Sequence, residues 1–174
     1  MQRSIWVFGL LAGAICALLE YLFFKSANAS GNVMYIAKFV VLIIFIAFGL
    51  IYLRKITGGT LSIARTLFSG IMIALVRALV MISAFTFFYY PNGDFYQEKL
   101  EISFEQAALK INSDSEIKPA DKQMIIEETQ SQIAHQYTPT GYMLVTIGMS
   151  LVTGFIFSIF MAALISTNLM YNRT

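Results

Sequence analysis

Residues 142–166 read YMLVTIGMSLVTGFIFSIFMAALIS, twenty-five positions without one charged side chain. A helix needs about 20 mostly apolar residues to cross about 30 Å of hydrocarbon at 1.5 Å per residue. This stretch is long enough to span. It must then be helical, because an isolated strand leaves backbone N–H and C=O groups unpaired where no water can reach them.

Three further runs meet the same standard. Residues 4–24 are broken only by Glu20, residues 34–53 carry Lys38 near their start, and residues 66–90 carry Arg77 inside. The expected fold is therefore all-α. It is a four-helix transmembrane bundle formed as a single membrane domain over 1–174, with an external amphipathic helical insertion between the third and fourth spans.

Composition agrees with the patterning. Hydrophobic residues make up 57% of the 174 and charged residues 13%, against about 25% charged for a soluble domain. A soluble chain of this size cannot hide so much apolar surface behind so thin a charged shell, whereas in a membrane the lipid takes that place. The lone cysteine, Cys16, excludes an internal disulfide and a cysteine-rich metal site. Its apolar surroundings fit a buried, inert thiol.

The net charge of +2 conceals an asymmetry. Residues 91–141 hold nine of the ten acidic residues and four lysines, for −5. The remainder holds eight basic residues and Glu20, for +7. The basic residues cluster at the ends of apolar runs, as membrane anchors do, so no nucleic-acid partner is expected. The short segment between the second and third spans holds Arg54, Lys55 and Arg65, while Arg3 and Arg173 flank the termini. Lysine and arginine favour the cytoplasmic side. Both termini are therefore expected in the cytoplasm and the acidic 91–141 segment outside. Trp6, Tyr21, Tyr89, Tyr90 and Tyr142 fall near span ends, where amphipathic rings favour the interface.

One competing reading concerns the first run. Arg3, an apolar stretch and Ala27-Asn28-Ala29 resemble a secretory signal with its cleavage site. The run exceeds the usual length of such a segment, and Glu20 and Lys25 suit one poorly, so it is read as a retained span.

Helices in lipid associate through close contact, which small residues four apart provide. The first span has Gly9, Gly13 and Ala17. The third has Ser62, Thr66, Gly70, Ala74 and Ala78, and the fourth has Ser150, Gly154, Ser158, Ala162 and Ser166. Each series makes one stripe on its helix. The second span lacks such a series, so the first, third and fourth spans are expected to form the tight core with the second packed outside. The same stripes could join two copies of the chain, so a homo-oligomer stands beside an intramolecular bundle.

Glu20 and Arg77 form the candidate intramembrane polar pair. Arginine near mid-bilayer costs roughly 2.5–3.5 kcal/mol on insertion scales. Such a residue faces the bundle, a partner or a water-filled cavity. Glu20 lies seven residues after Gly13 and Arg77 seven after Gly70, so both point toward the packing side. Their levels, counted from Arg3 and Arg65, differ by about 7–8 Å. A buried ion pair that fixes helix register is one reading. A polar site for an anionic headgroup, a proton or a partner is another.

In the acidic segment, Pro91-Asn92-Gly93-Asp94 is turn chemistry that closes the third span. Residues 95–111 and 120–137 show apolar residues near helical spacing among charges. Pro119 suits the first turn of the second of these helices, and Pro139 and Gly141 are expected to end it. At about 50 residues the segment is too long for a bare connector, so a cap that binds a partner and a plain solvated hairpin both remain open. His135 has no companion for a metal. Gly58-Gly59 is a turn without the lysine of a phosphate-binding loop. With no nucleophile–base arrangement visible, neither enzymatic activity nor a cofactor is expected.

Taken in order, Gly9 and Gly13, Gly58-Gly59…Ser62, Gly70, Pro91…Asp94-Phe95 and Gly154-xxx-Ser158-xxx-Ala162 make the chain resemble the domain-of-unknown-function family 4199, small four-span proteins of Bacteroidota inner membranes. The resemblance covers nearly the whole chain. It implies no activity, cofactor or catalytic residue, and Glu20 and Arg77 match no family motif. The functional expectation is a non-enzymatic membrane subunit that scaffolds or anchors a membrane-protein partner, such as an envelope-assembly or lipid-linked glycan enzyme. The alternative is a small transporter or channel subunit that uses Glu20 and Arg77.

Overall fold

A computed structural model describes residues 2–25, 31–59 and 61–166. Ala27–Ala29, the would-be cleavage site, and Arg173 lie outside the described residues. The described chain contains six α-helices: α1 (Gln2–Lys25), α2 (Gly31–Ile56), α3 (Ile63–Ala84), α4 (Gly93–Ser113), α5 (Pro119–Gln136) and α6 (Pro139–Ser166). A single π-helical turn, Phe85–Tyr89, continues α3.

Four stretches, Arg3–Leu22, Val33–Ile56, Ile63–Tyr89 and Pro139–Ile165, are long and apolar enough to cross a membrane. About a third of each is buried inside the structure. The rest faces outward with large apolar side chains, among them Ile36, Phe48, Phe68, Leu144 and Ile156. Apolar surface on that scale is stable only against lipid or another apolar partner.

The described chain divides into two compact units. The first, residues 1–81 with 146–174, holds α1, α2, most of α3 and most of α6. Its core is built from Ile5, Leu42, Ile46, Leu50, Leu53, Ile73, Ala74, Met161 and Ile165. Four of these come from α2, and Ile46, Leu50 and Leu53 are sealed from solvent. The expected peripheral place for α2 is therefore corrected, because α2 supplies four of the nine buried core residues, more than any other helix.

The reason is complementary packing. Large aliphatic groups on one helix fill the hollows that small residues leave on another. A β-carbon on Gly49 of α2 would come within 2.5 Å of Ile73 Cδ1 on α3, and one on Gly70 would come 3.4 Å from Ile46 Cγ2. A span without a small-residue stripe can thus sit centrally, offering Ile46 toward Gly70 and receiving Ile73 at Gly49.

The α2–α3 connection turns on Gly58 (φ 76°) and Gly59 (φ 87°), both in the left-handed region where glycine carries no penalty. The Gly59 N–H donates to Arg54 O at 2.9 Å, and Arg54 Nε donates to Gly59 O at 3.0 Å. The Thr57 hydroxyl donates to Leu53 O at 2.9 Å. The carbonyls of Leu53 and Arg54, in the last turn of α2, are thereby satisfied.

The second unit is residues 82–145. Here α4 and α5 pack as an antiparallel hairpin. Pro119 opens α5 at its first turn, where no N–H is missed, and Asp121 adds a favourable negative charge there. Lys122 Nζ donates to Asn112 O at 2.7 Å and so places a cation at the C-terminal end of α4. Ser103 Oγ and Tyr137 Oη lie 3.3 Å apart, and Lys99 Nζ lies 5.7 Å above the Tyr137 ring.

Pro139 and Gly141 do not close α5 as the sequence suggested; they open α6. Thr138 Oγ1 accepts the Gly141 N–H at 3.1 Å, which makes Thr138 the N-cap with proline just after it. The π-turn of α3 is anchored within this unit by Phe85, whose ring stacks on Tyr142 of α6 at 4.0 Å with 6° between planes.

Candidate functional site

Apart from Ser62, which is exposed, the described small-residue positions face inward at two seams of the first unit. On α1, Gly9 and Gly13 are buried and Ala17 is half-buried. A β-carbon on Gly9 would meet Val76 Cβ at 2.5 Å, and one on Gly13 would meet Val80 Cβ at 2.5 Å. On α3 and α6, Gly70, Ala74, Ala78, Ser150, Gly154, Ser158 and Ala162 are all buried. Ser158 Oγ occupies the space a β-carbon on Gly70 would need, and one on Gly154 would lie 2.8 Å from Ala74 Cβ.

These contacts fix the level of the intramembrane charges. Gly9 beside Val76 and Gly13 beside Val80 show α1 and α3 running in parallel. Arg77 is therefore level with Leu10, and Glu20 stands ten residues further along, about 15 Å at 1.5 Å per residue. That is twice the separation expected from counting in from the boundary arginines. Neither side chain bridges so large a gap.

Each charge has its own partner instead. Glu20 is 1% exposed and its Oε2 lies 3.5 Å from Lys38 Nζ on α2. Lys38 is itself buried, its ammonium 5.1 Å from the centre of the Tyr35 ring. Beside this pair, Cys16 Sγ donates to Lys38 O at 3.7 Å, so the thiol lies within the α1–α2 contact.

Lys38 was visible in the sequence as a charge in the second apolar run, yet it was not matched to Glu20. A signal was available. Two antiparallel helices joined by a short connection bring residues equally distant from its midpoint side by side, and Glu20 and Lys38 are each nine positions from residue 29.

Arg77 is 8% exposed and faces α6, where its Nη1 donates to Ser150 Oγ at 3.1 Å. Its Nε is buried without a partner among the described residues. Two more buried polar atoms share that condition, Ser69 Oγ on α3 and Ser158 Oγ on α6. Thr66 and Thr153 are buried on the same two helices, with Thr66 Oγ1 returned to Ser62 O at 3.1 Å. The α3–α6 seam is therefore lined by small and hydroxyl-bearing residues with one guanidinium. None of Ser69, Thr153 or the unmet Nε was singled out from the sequence, because their inward direction depends on helix rotation. No group of three His, Cys, Asp or Glu side chains that could hold a metal occurs among the described residues.

Four apolar helices, an all-α architecture and charges retained inside the packed spans define a multi-pass membrane protein. The chain belongs to the family described as protein of unknown function (DUF4199), whose pattern matches residues 7–167. No curated protein matches the chain. No solved structure matches it either.

Proposed function

We propose that this chain is a non-enzymatic inner-membrane protein that anchors or scaffolds a membrane-protein partner. In this reading both termini lie in the cytoplasm and residues 91–141 stand on the periplasmic side. The four spans form the anchor and the α4–α5 hairpin is the part offered to the partner. An envelope-assembly or lipid-linked glycan complex suits such an accessory subunit.

The observation that carries this reading is the surface of the hairpin. No residue of α5 is buried. Leu109 of α4 is 70% exposed and Met124 of α5 is 64% exposed, within a segment whose net charge is −5. Apolar side chains set among acidic ones suit a partner surface that combines basic and apolar groups. The pairing of Glu20 with Lys38 adds support, since that carboxylate is engaged in holding α1 to α2.

The test is purification in mild detergent at native expression. A stoichiometric partner should be retained by the native chain and lost when Glu101, Glu105, Glu127 and Glu128 are changed to lysine. A monomer that carries no partner contradicts the proposal. A transporter or channel subunit is the second reading. Of its two named residues, only Arg77, with its unmet Nε, supports it.

A further inference from the structure

We propose that Arg77, with Ser150, forms an intramembrane anion site in the α3–α6 seam that takes the oxyanion of a phosphate group. The argument begins with charge. The four apolar runs contain three ionisable side chains of fixed sign, Glu20, Lys38 and Arg77. The single carboxylate is paired with Lys38, and helix register holds it about 15 Å along the bundle from Arg77. The interior is left with one guanidinium in excess, and a guanidinium does not deprotonate in a protein.

Geometry then shows that the described residues do not satisfy this cation. A guanidinium has five N–H donors in a fixed fork. Arg77 is more than nine-tenths buried and, among the described residues, gives one hydrogen bond to a neutral hydroxyl and has Nε sealed from solvent with no acceptor. A buried charge without an anion or a full set of acceptors is strongly disfavoured. An oxyanion answers both deficits, because it brings negative charge and two acceptors that match the fork. Ser150 Oγ already accepts from Nη1, and its own hydroxyl hydrogen is available to the same oxyanion.

The seam continues in kind beyond Arg77. Ser69 lies eight residues before Arg77 and Ser158 eight after Ser150, which is the same direction along antiparallel helices. Each has a buried hydroxyl without a partner among the described residues. Either an anionic phospholipid or a free phosphate provides the required chemistry. This site is independent of the anchoring role and can fail without it.

The test uses the full chain in nanodiscs. Inorganic phosphate is titrated by calorimetry in phosphatidylcholine discs, and phosphatidylglycerol binding is measured by native mass spectrometry across a range of lipid fractions. The native chain should bind one of the two saturably, and which one identifies the source. Arg77→Gln should weaken that binding about tenfold or more, the scale of a lost charge-assisted contact. Ser150→Ala should weaken it by a smaller factor, while Arg65→Gln, at an exposed arginine, should leave it unchanged. Should Arg77→Gln not fold, the native chain and Ser150→Ala decide the matter. Absence of saturable binding to the native chain overturns the proposal. So does equal affinity in the variants, and so does cross-linking of position 77 to a carboxylate of a partner protein.

Discussion

The carboxylate of Glu20 on α1 and the ammonium of Lys38 on α2 lie 3.5 Å apart, their side chains 2% and 10% exposed. This contact ties the first two helices at one end of the bundle. It also removes the only carboxylate of the apolar runs from the reach of Arg77.

Breaking such a pair on one side leaves an uncompensated charge. Glu20→Gln or Lys38→Met alone should therefore lower stability by about 3 kcal/mol. Replacing both with methionine should return stability to within about 1 kcal/mol of the native chain, because the desolvation cost disappears with the pair. Thermal unfolding in a fixed detergent, followed by circular dichroism, measures all three. Additive losses in the double variant would show that the two residues act separately.

At the α3–α6 seam, the hydroxyl of Ser158 fills the space beside Gly70. Gly70→Ala should overpack this contact and cost about 1–3 kcal/mol. Adding Ser158→Gly removes the obstructing group and should recover part of that loss, less about 1 kcal/mol for glycine inside a helix. Gly154→Leu should be worse, because its neighbours are the Ala74 side chain and the α3 backbone at Ile71 and Gly70. Size-exclusion profiles should show broadening or aggregation for that variant. An unaltered Gly154→Leu profile would remove close α3–α6 contact from the account.

The central place of α2 makes a contrast within one helix. Ile46 is fully buried whereas Phe48 is 57% exposed. Ile46→Ala should cost about 2–4 kcal/mol through lost contacts and a residual cavity. Phe48→Ala faces outward and should change stability by less than about 0.5 kcal/mol. The two substitutions, compared by denaturation in the same detergent, distinguish a core α2 from a peripheral one.

Most of the architecture was legible in the sequence because hydrophobic length is a strong and local signal. The runs at 4–24, 34–53, 66–90 and 142–166 each fall within a helix of the structure or, for the third, within α3 and its π-turn and the residue beyond. What failed required information about rotation and register. Small-residue stripes revealed inward faces on α3 and α6 but could not show that α2 supplies the opposing knobs. Counting from boundary arginines sets Glu20 and Arg77 about 7–8 Å apart in level, whereas the Gly13–Val80 contact sets them about 15 Å apart. The π-turn at Phe85–Tyr89 has no sequence cue, since its aromatic run continues a helical pattern without glycine or proline. Pro139 and Gly141 suggest an ending because proline stops a helix; proline equally starts one, and Thr138 before it makes the cap.

The most direct test of the proposed arrangement is the sidedness of the two connections that flank α3. In a Cys16→Ala background, Ser115→Cys lies between α4 and α5 and Ser62→Cys lies before α3, both at exposed positions. A membrane-impermeant maleimide applied to intact spheroplasts should label position 115 fully and position 62 only after permeabilisation. Labelling of position 62 from outside, or protection of position 115 until the membrane is opened, would contradict four crossings with the acidic hairpin on the outer face.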